Sequence, residues 1–211
     1  LAHPAFALAL AMACPFPNEM QAAQTTERSD PEYLIDTWET EAGLPENSAT
    51  AIVQTPDGYL WFGTFNGLVR FNGVELTVFN PSNTPQLPSA GIVNLHVGRD
   101  GRLWISTYRG LVVREGDQWR QLHSEDGWNG DYARTFAERS NGDLLITAFN
   151  GKLFEFSSGR FAELTSPPGE KGQGYFGGAD EDGHWWAVQN KFVGRWENGQ
   201  WVQMISPPPE L

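Results

Sequence analysis

Three aspartates stand at matching places in this chain, Asp57, Asp100 and Asp182, each followed by glycine. Carboxylates repeated at one structural position invite a metal or acid–base reading. Asx-Gly pairs are also the strongest short-range hairpin signal, because both residue types reach positive φ cheaply. A turn that every unit needs explains all three at once, so no catalytic residue is assigned. The four histidines, His3, His96, His123 and His184, have no second His or Cys at ligand spacing, and no metal is expected. There is no Gly-x-Ser-x-Gly elbow and no phosphate-cradling glycine loop ahead of a helix. No cofactor is expected either.

The turns set the frame for everything else. From Ala51 to Phe79 the sequence reads as four short strands separated by Asp57-Gly58, Asn66-Gly67 and Asn72-Gly73. The first turn recurs at Asp100-Gly101, Asn141-Gly142 and Asp182-Gly183, in steps of 43, 41 and 41 residues. In phase with it come Leu60-Trp61-Phe62, Leu103-Trp104-Ile105, Leu144-Leu145-Ile146 and Trp185-Trp186-Ala187. A second turn glycine follows at Gly67, Gly110 and Gly151 and slips to Gly194 in the fourth copy, and a third falls at Gly73, Gly116, Gly159 and Gly199. A period of about 42 residues with four strands per unit is the signature of a β-propeller blade. The fold expected is all-β, with four-stranded blades at about 50–79, 91–122, 133–164 and 174–205 in a partial propeller over 32–211. Trp61, Trp104 and Trp186 sit mid-strand and are read as inter-blade core.

Composition narrows the partners. The chain has 211 residues, nine Trp and a formal net charge of −12, with no Lys/Arg cluster. A nucleic-acid groove needs a concentrated cation field, so that partner class is excluded. The stretch Ala5 to Ala13 is apolar and ends in small residues. It reads as a truncated secretory leader with an Ala-x-Ala site at Ala11-Met12-Ala13, followed by a linker to residue 31. Cys14, the one cysteine, directly follows and offers a lipidation reading. The leader run is too short to span a bilayer, so membrane attachment is expected only through parts outside this sequence.

Residues 33–39 read as a strand, and Leu44-Pro45 after it matches Leu87-Pro88 after the first unit. The strand lacks a blade of its own and is expected to be the outer strand that closes a ring, because closure removes exposed edges. A surplus strand beside four full units points to a fragment of a larger ring.

Two stretches carry a family resemblance. Thr37-Trp38, Thr40-Glu41 and Gly43-Leu44-Pro45, followed by Asp57-Gly58-Tyr59-Leu60-Trp61-Phe62-Gly63-Thr64 and Gly67-Leu68, resemble the two-component regulator propeller repeats. Asp100-Gly101, Leu103-Trp104-Ile105 and Gly110-Leu111 repeat the pattern, which decays in the third and fourth units. Such repeats form the periplasmic sensor region of hybrid histidine kinases and of some membrane-bound diguanylate cyclases. The resemblance implies a periplasmic, non-enzymatic sensor of a phosphorelay, usually with seven or fourteen blades, that acts as a homodimer in the full-length receptor. Its output domain would lie outside this sequence.

Binding residues are expected on the loops, which differ between units while the strands are alike. The connections 80–90, 123–132 and 165–174 share one face with the second turns. The candidates are Asn66, Tyr108, Arg109, Trp128, Asn129, Asp131, Tyr132, Asn150, Tyr175 and Phe176, a set suited to a small polar ligand such as a carbohydrate. Two rivals stay open. A propeller lyase or hydrolase would use His96 on an innermost strand, and a protein-interaction scaffold would need no small ligand.

Overall fold

The computed structural model describes residues 37–167, 176–189 and 192–205. The leader and linker readings, and residues 33–36 of the closing strand, lie outside them. Four antiparallel sheets follow one another in up-and-down order. Sheet 1 holds β1 (Ala49–Gln54), β2 (Leu60–Thr64), β3 (Gly67–Phe71) and β4 (Leu76–Phe79). Sheet 2 holds β5 (Ile92–Val97), β6 (Leu103–Thr107), β7 (Gly110–Glu115) and β8 (Gln118–Gln121). Sheet 3 is β9 (Ala133–Glu138), β10 (Leu144–Ala148), β11 (Leu153–Ser157) and β12 (Arg160–Leu164). Sheet 4 is β13 (Phe176–Ala179), β14 (Trp185–Gln189), β15 (Phe192–Glu197) and β16 (Gln200–Ile205). This is the propeller architecture, with the first strands of successive sheets side by side.

The first turn is built the same way four times. The amide N–H of Thr55, Gly98, Arg139 and Asp180 donates to the carbonyl four residues on, at 3.0, 2.8, 2.9 and 3.1 Å. The glycine N–H then donates back to that same residue's carbonyl, at 2.9, 2.8, 3.0 and 3.0 Å. Gly58, Gly101, Gly142 and Gly183 adopt φ of 90°, 82°, 88° and 80°, the left-handed region that side chains resist. The second turn is less regular. Thr64 faces Gly67 and Thr107 faces Gly110, but in sheet 3 Thr147 faces Leu153, so the Gly151 turn is wider. Gly194 is not a turn residue. It lies inside β15 opposite Ala187, where a Cβ would meet the Phe192 ring at 2.1 Å.

Each first strand of sheets 1 to 3 carries an extra residue against its partner. The pairing skips Thr50, Val93 and Arg134 in turn, a β-bulge at the same place each time. Cross-sheet bonds tie these strands together. Thr50 Oγ1 donates to the Ile92 carbonyl at 2.9 Å, and Asn94 Nδ2 to the Arg134 carbonyl at 2.8 Å. The Gly177 N–H donates to Thr135 Oγ1 at 3.2 Å.

The core lies between sheets. Trp61 and Leu68 of sheet 1 pack with Leu103, Ile105 and Val112 of sheet 2. Trp104 packs with Leu144, Ile146, Phe154 and Phe156 of sheet 3. Leu145 and Leu153 meet Trp185, Ala187 and Phe192 of sheet 4. In sheet 4 the fully buried ring is therefore Trp185. Trp186 points to the other face, is half-buried, and donates its Nε1–H to Asp180 Oδ2 at 2.7 Å. At the start of the described residues, 37–39 join no sheet. Trp38 instead lays its ring against Phe71 and Phe62, with centroids at 4.7 and 5.9 Å.

Trp104 is 1% exposed and set edge-on to Phe156 at 4.9 Å. Trp104→Ala is expected to lower the unfolding free energy by about 3–5 kcal/mol, the range for emptying a buried aromatic site. Trp186→Ala should cost clearly less. Urea denaturation of both variants checks the order.

Candidate functional site

The distinctive feature is a row of rings on the face that carries the second turns. Phe65 and Tyr108 follow the last residues of β2 and β6, and Phe149 the last residue of β10. Tyr132 stands just before β9. Phe65 and Tyr108 lie parallel with centroids 6.4 Å apart, and Tyr108 meets Tyr132 edge-on at 5.7 Å. Tyr132 stacks on Phe149 at 4.7 Å. Phe65, Tyr108 and Phe149 are 51%, 50% and 51% exposed, so about half of each residue faces water. A hairpin tip needs a backbone conformation and has no need of a large apolar side chain, so the ladder does not account for these three.

The backbone makes room for the row. A Cβ on Gly91 would sit 2.4 Å from Tyr108 Cδ2, so the ring can lie over the chain only where glycine stands. The Tyr108 N–H donates to the Gly91 carbonyl at 3.1 Å, and the Phe149 N–H to the Tyr132 carbonyl at 3.0 Å. The same bond thus clips two second turns onto the segments entering the first strands of their own sheets, β5 and β9. Partial dehydration, and next the neighbouring Tyr108, raise the Tyr132 hydroxyl above its ordinary value. It is a neutral hydroxyl at physiological pH.

The residues expected at the site divide. Tyr108 and Tyr132 are together in the row, and Arg109 and Asp131 are exposed beside them in sequence. Phe176 opens β13, is 52% exposed, and lies under the guanidinium of Arg134 at 4.7 Å. Asn66 Nδ2 donates to the Pro45 carbonyl at 3.3 Å. Asn150 Oδ1 accepts the Lys152 N–H at 3.1 Å, and Asn129 Oδ1 accepts Lys152 Nζ at 3.1 Å. Asn150 thus shapes its own turn, and Asn66 and Asn129 are partly engaged in bridging to neighbouring loops. Trp128 corrects the expectation. It is 4% exposed, packs on Phe154 and Phe161 at 4.7 and 5.2 Å, and belongs to the core between sheets 2 and 3. The fold-back at Gly127–Gly130 buries a ring that its polar neighbours made look like a surface group. Tyr175 lies outside the described residues. Phe65, Phe149 and Arg134 were not among the expected set. A signal for the first two was present, since Phe65, Tyr108 and Phe149 put an aromatic residue at three successive second turns.

Two of the repeated carboxylates hold their own turns. Asp57 Oδ1 accepts Thr55 Oγ1 at 2.5 Å, and Asp100 accepts the Arg102 N–H at 3.0 Å and its Nε at 2.6 Å. Burial opposes ionisation of Asp100, but the Arg102 bonds outweigh it and hold the carboxyl below its ordinary value. Asp180, Asp182 and His184 place one potential ligand atom each within 4.8 Å of one another. Asp180 is already engaged. Its bond from Trp186, and then the His184 N–H at 2.8 Å, lower its carboxyl to about 2. On the opposite face, two shallow clefts of about 400 and 420 Å³ open beside Arg99 and Asp100, lined by turn residues and without a ring row.

His96 stands on β5 with Nε2 3.4 Å from Glu138 Oε2 on β9, its ring flat on Phe136 at 5.5 Å and 9°. Glu138 also accepts the Arg99 N–H at 2.9 Å. Burial disfavours the imidazolium, the Glu138 carboxylate offsets this only in part, and His96 titrates below its ordinary 6.5.

The fold is a β-propeller with an exposed ring row on its second-turn face. Residues 43–66 and 86–109 match the family model described as two component regulator propeller, so the first two units carry such repeats. Among solved structures, the extracellular domain of a protein described as a hybrid two component system from B. thetaiotaomicron is 20% identical with a TM-score of 0.61. The match covers 72% of this chain and 22% of that one. A second such domain from that organism is 18% identical with a TM-score of 0.61, covering 77% and 22%. Virginiamycin B lyase from Staphylococcus aureus is 20% identical with a TM-score of 0.58, covering 76% and 56%. At these identities the likeness is one of fold. No curated protein sequence matches the chain. Among the described residues no helix is long and apolar enough to cross a membrane.

The depressed value of His96 fixes a sign. The unfolded chain takes up that proton first, so stability held by neutral His96 is complete above about 6.5 and is lost as pH falls through the folded value. Urea midpoints at about pH 7 and about pH 5 should differ in that direction, and His96→Gln should shrink the difference.

Proposed function

We propose that this chain is the ligand-sensing propeller region of a bacterial signal-transduction receptor, working on the periplasmic side of the inner membrane and without turnover of its own. The observation that carries the reading is the half-exposed ring row, presented at the turns of units that include two regulator-propeller repeats. Half-exposed aromatic rings offer apolar faces beside polar loop groups, the combination that small-ligand sites use. The ligand class this favours is a small polar molecule with an apolar face, carbohydrate first, because C–H faces of a pyranose stack on such rings. Occupancy would bias docking or dimer geometry, passing the signal to an output region of kinase or cyclase type.

A propeller lyase is the second reading, and one observation favours it. His96 and Glu138 form a titratable pair across two adjacent first strands. That reading requires His96→Ala to abolish a turnover, whereas the sensor reading has none to lose.

Thermal-shift and calorimetric titrations of the chain against a panel of neutral and acidic oligosaccharides test the proposal. A stabilising glycan is expected. A Phe65→Ala, Tyr108→Ala double variant should bind it about tenfold or more weakly, as for loss of aromatic anchors, with an unchanged far-ultraviolet spectrum. A glycan response that survives the double variant would move the site off the row.

A further inference from the structure

The bulge in β9 frees Arg134 from the ladder at the end of the first strand that lies next to Tyr132. Its guanidinium rests over the half-exposed Phe176 ring, which orients a cation without neutralising it. In a chain of net charge −12, Arg102, Arg114, Arg120, Arg139, Lys152 and Arg195 all have carboxylate partners. Among the described residues Arg70, Arg99, Arg109, Arg134 and Arg160 have no carboxylate at ion-pair distance. Of these, Arg109 and Arg134 adjoin the ring row, Arg109 next to Tyr108 and Arg134 acting on Tyr132. Asp131 is exposed three residues away and acts on Tyr132, yet makes no ion pair with Arg134. Arg109, in the same turn as Tyr108, is exposed and likewise has no acidic partner among the described residues.

A cation left unpaired on an acidic protein, fixed by a ring and adjoining the ring row, is arranged for an anion that arrives from outside. A guanidinium presents a planar fork of donors that fits a carboxylate in two parallel bonds. We propose that Arg134 is the anion-recognising residue of this face, and that the ligand carries a carboxylate that docks there while its body lies on Tyr132 and Tyr108. This rests on the binding-face reading above and adds the charge of the ligand to it.

Trigalacturonate and its fully methyl-esterified form share one sugar framework and differ in charge, so calorimetry with the pair isolates Arg134. The unmodified chain should bind the acid about tenfold or more tightly than the ester, the scale of one charge-assisted contact. Arg134→Gln should erase that preference, and Arg134→Lys should restore part of it. The gap should also narrow as salt is raised. Equal binding of acid and ester, or a preference that survives Arg134→Gln, overturns the inference and leaves the binding face standing. Binding of a neutral panel glycan but of neither galacturonate form also overturns the inference alone. If no glycan of either kind binds, both readings fall.

Discussion

A sheet whose middle strands are apolar on both faces cannot stand by itself in water. All of β6 and all of β10 are buried, from Leu103 to Thr107 and from Leu144 to Ala148. A blade therefore becomes stable only when a neighbour covers each face, and the chain meets that demand by stacking like on like. The rings Trp61, Trp104 and Trp185 supply much of the apolar volume, each fully buried between two sheets. Cations over rings complete the joints. Arg139 lies 3.8 Å from the Trp185 ring and pairs with Glu155, which also accepts the Trp185 Nε1–H at 2.8 Å. Because the covering is mutual, strand positions are fixed by their neighbours on both sides. Variation is pushed outward to the turns and connections, where the ring row sits.

That division decides what could be read from the sequence. The first turn was legible because its requirement is local: an Asx-Gly pair reports a positive φ directly, at Gly58 and at each later copy. Trp61 and Trp104 were legible because a mid-strand aromatic in a repeated frame has one plausible destination. Trp185 and Trp186 were harder, since two adjacent identical rings leave the phase of the strand open and only packing against Leu145 settles it. Gly194 followed the glycine count but not the register. Its role is to let the Phe192 ring lie over the backbone, which is a contact and not a spacing. Trp128 failed for a similar reason. Its burial depends on a loop that folds back onto Phe161, and nothing in the neighbouring polar residues announces that.

The site was half legible. Tyr108 and Tyr132 were drawn from loop position and amphipathic character, which single residues reveal. Phe65 and Phe149 were missed because apolar residues beside strands look like strand. What identifies them is exposure, a property of three dimensions. Arg134 was missed because the reading assigned it to a regular first strand, whereas the bulge takes it out of the alternation. The likeness to an extracellular domain of a protein described as a hybrid two component system and to a lyase is a likeness of the sheets alone.

The recurring bulge has a consequence for how such a scaffold can change. At Thr50, Val93 and Arg134 one residue per blade is uncoupled from the ladder, always at the same depth. A substitution at Val93 or Arg134 breaks no strand pair, whereas the Thr50 hydroxyl also bonds the Ile92 carbonyl of the next sheet. The three equivalent positions already hold different groups on one frame, a hydroxyl, an isopropyl and a guanidinium. The rim can therefore vary one blade at a time while the strand pairing around it remains as it is.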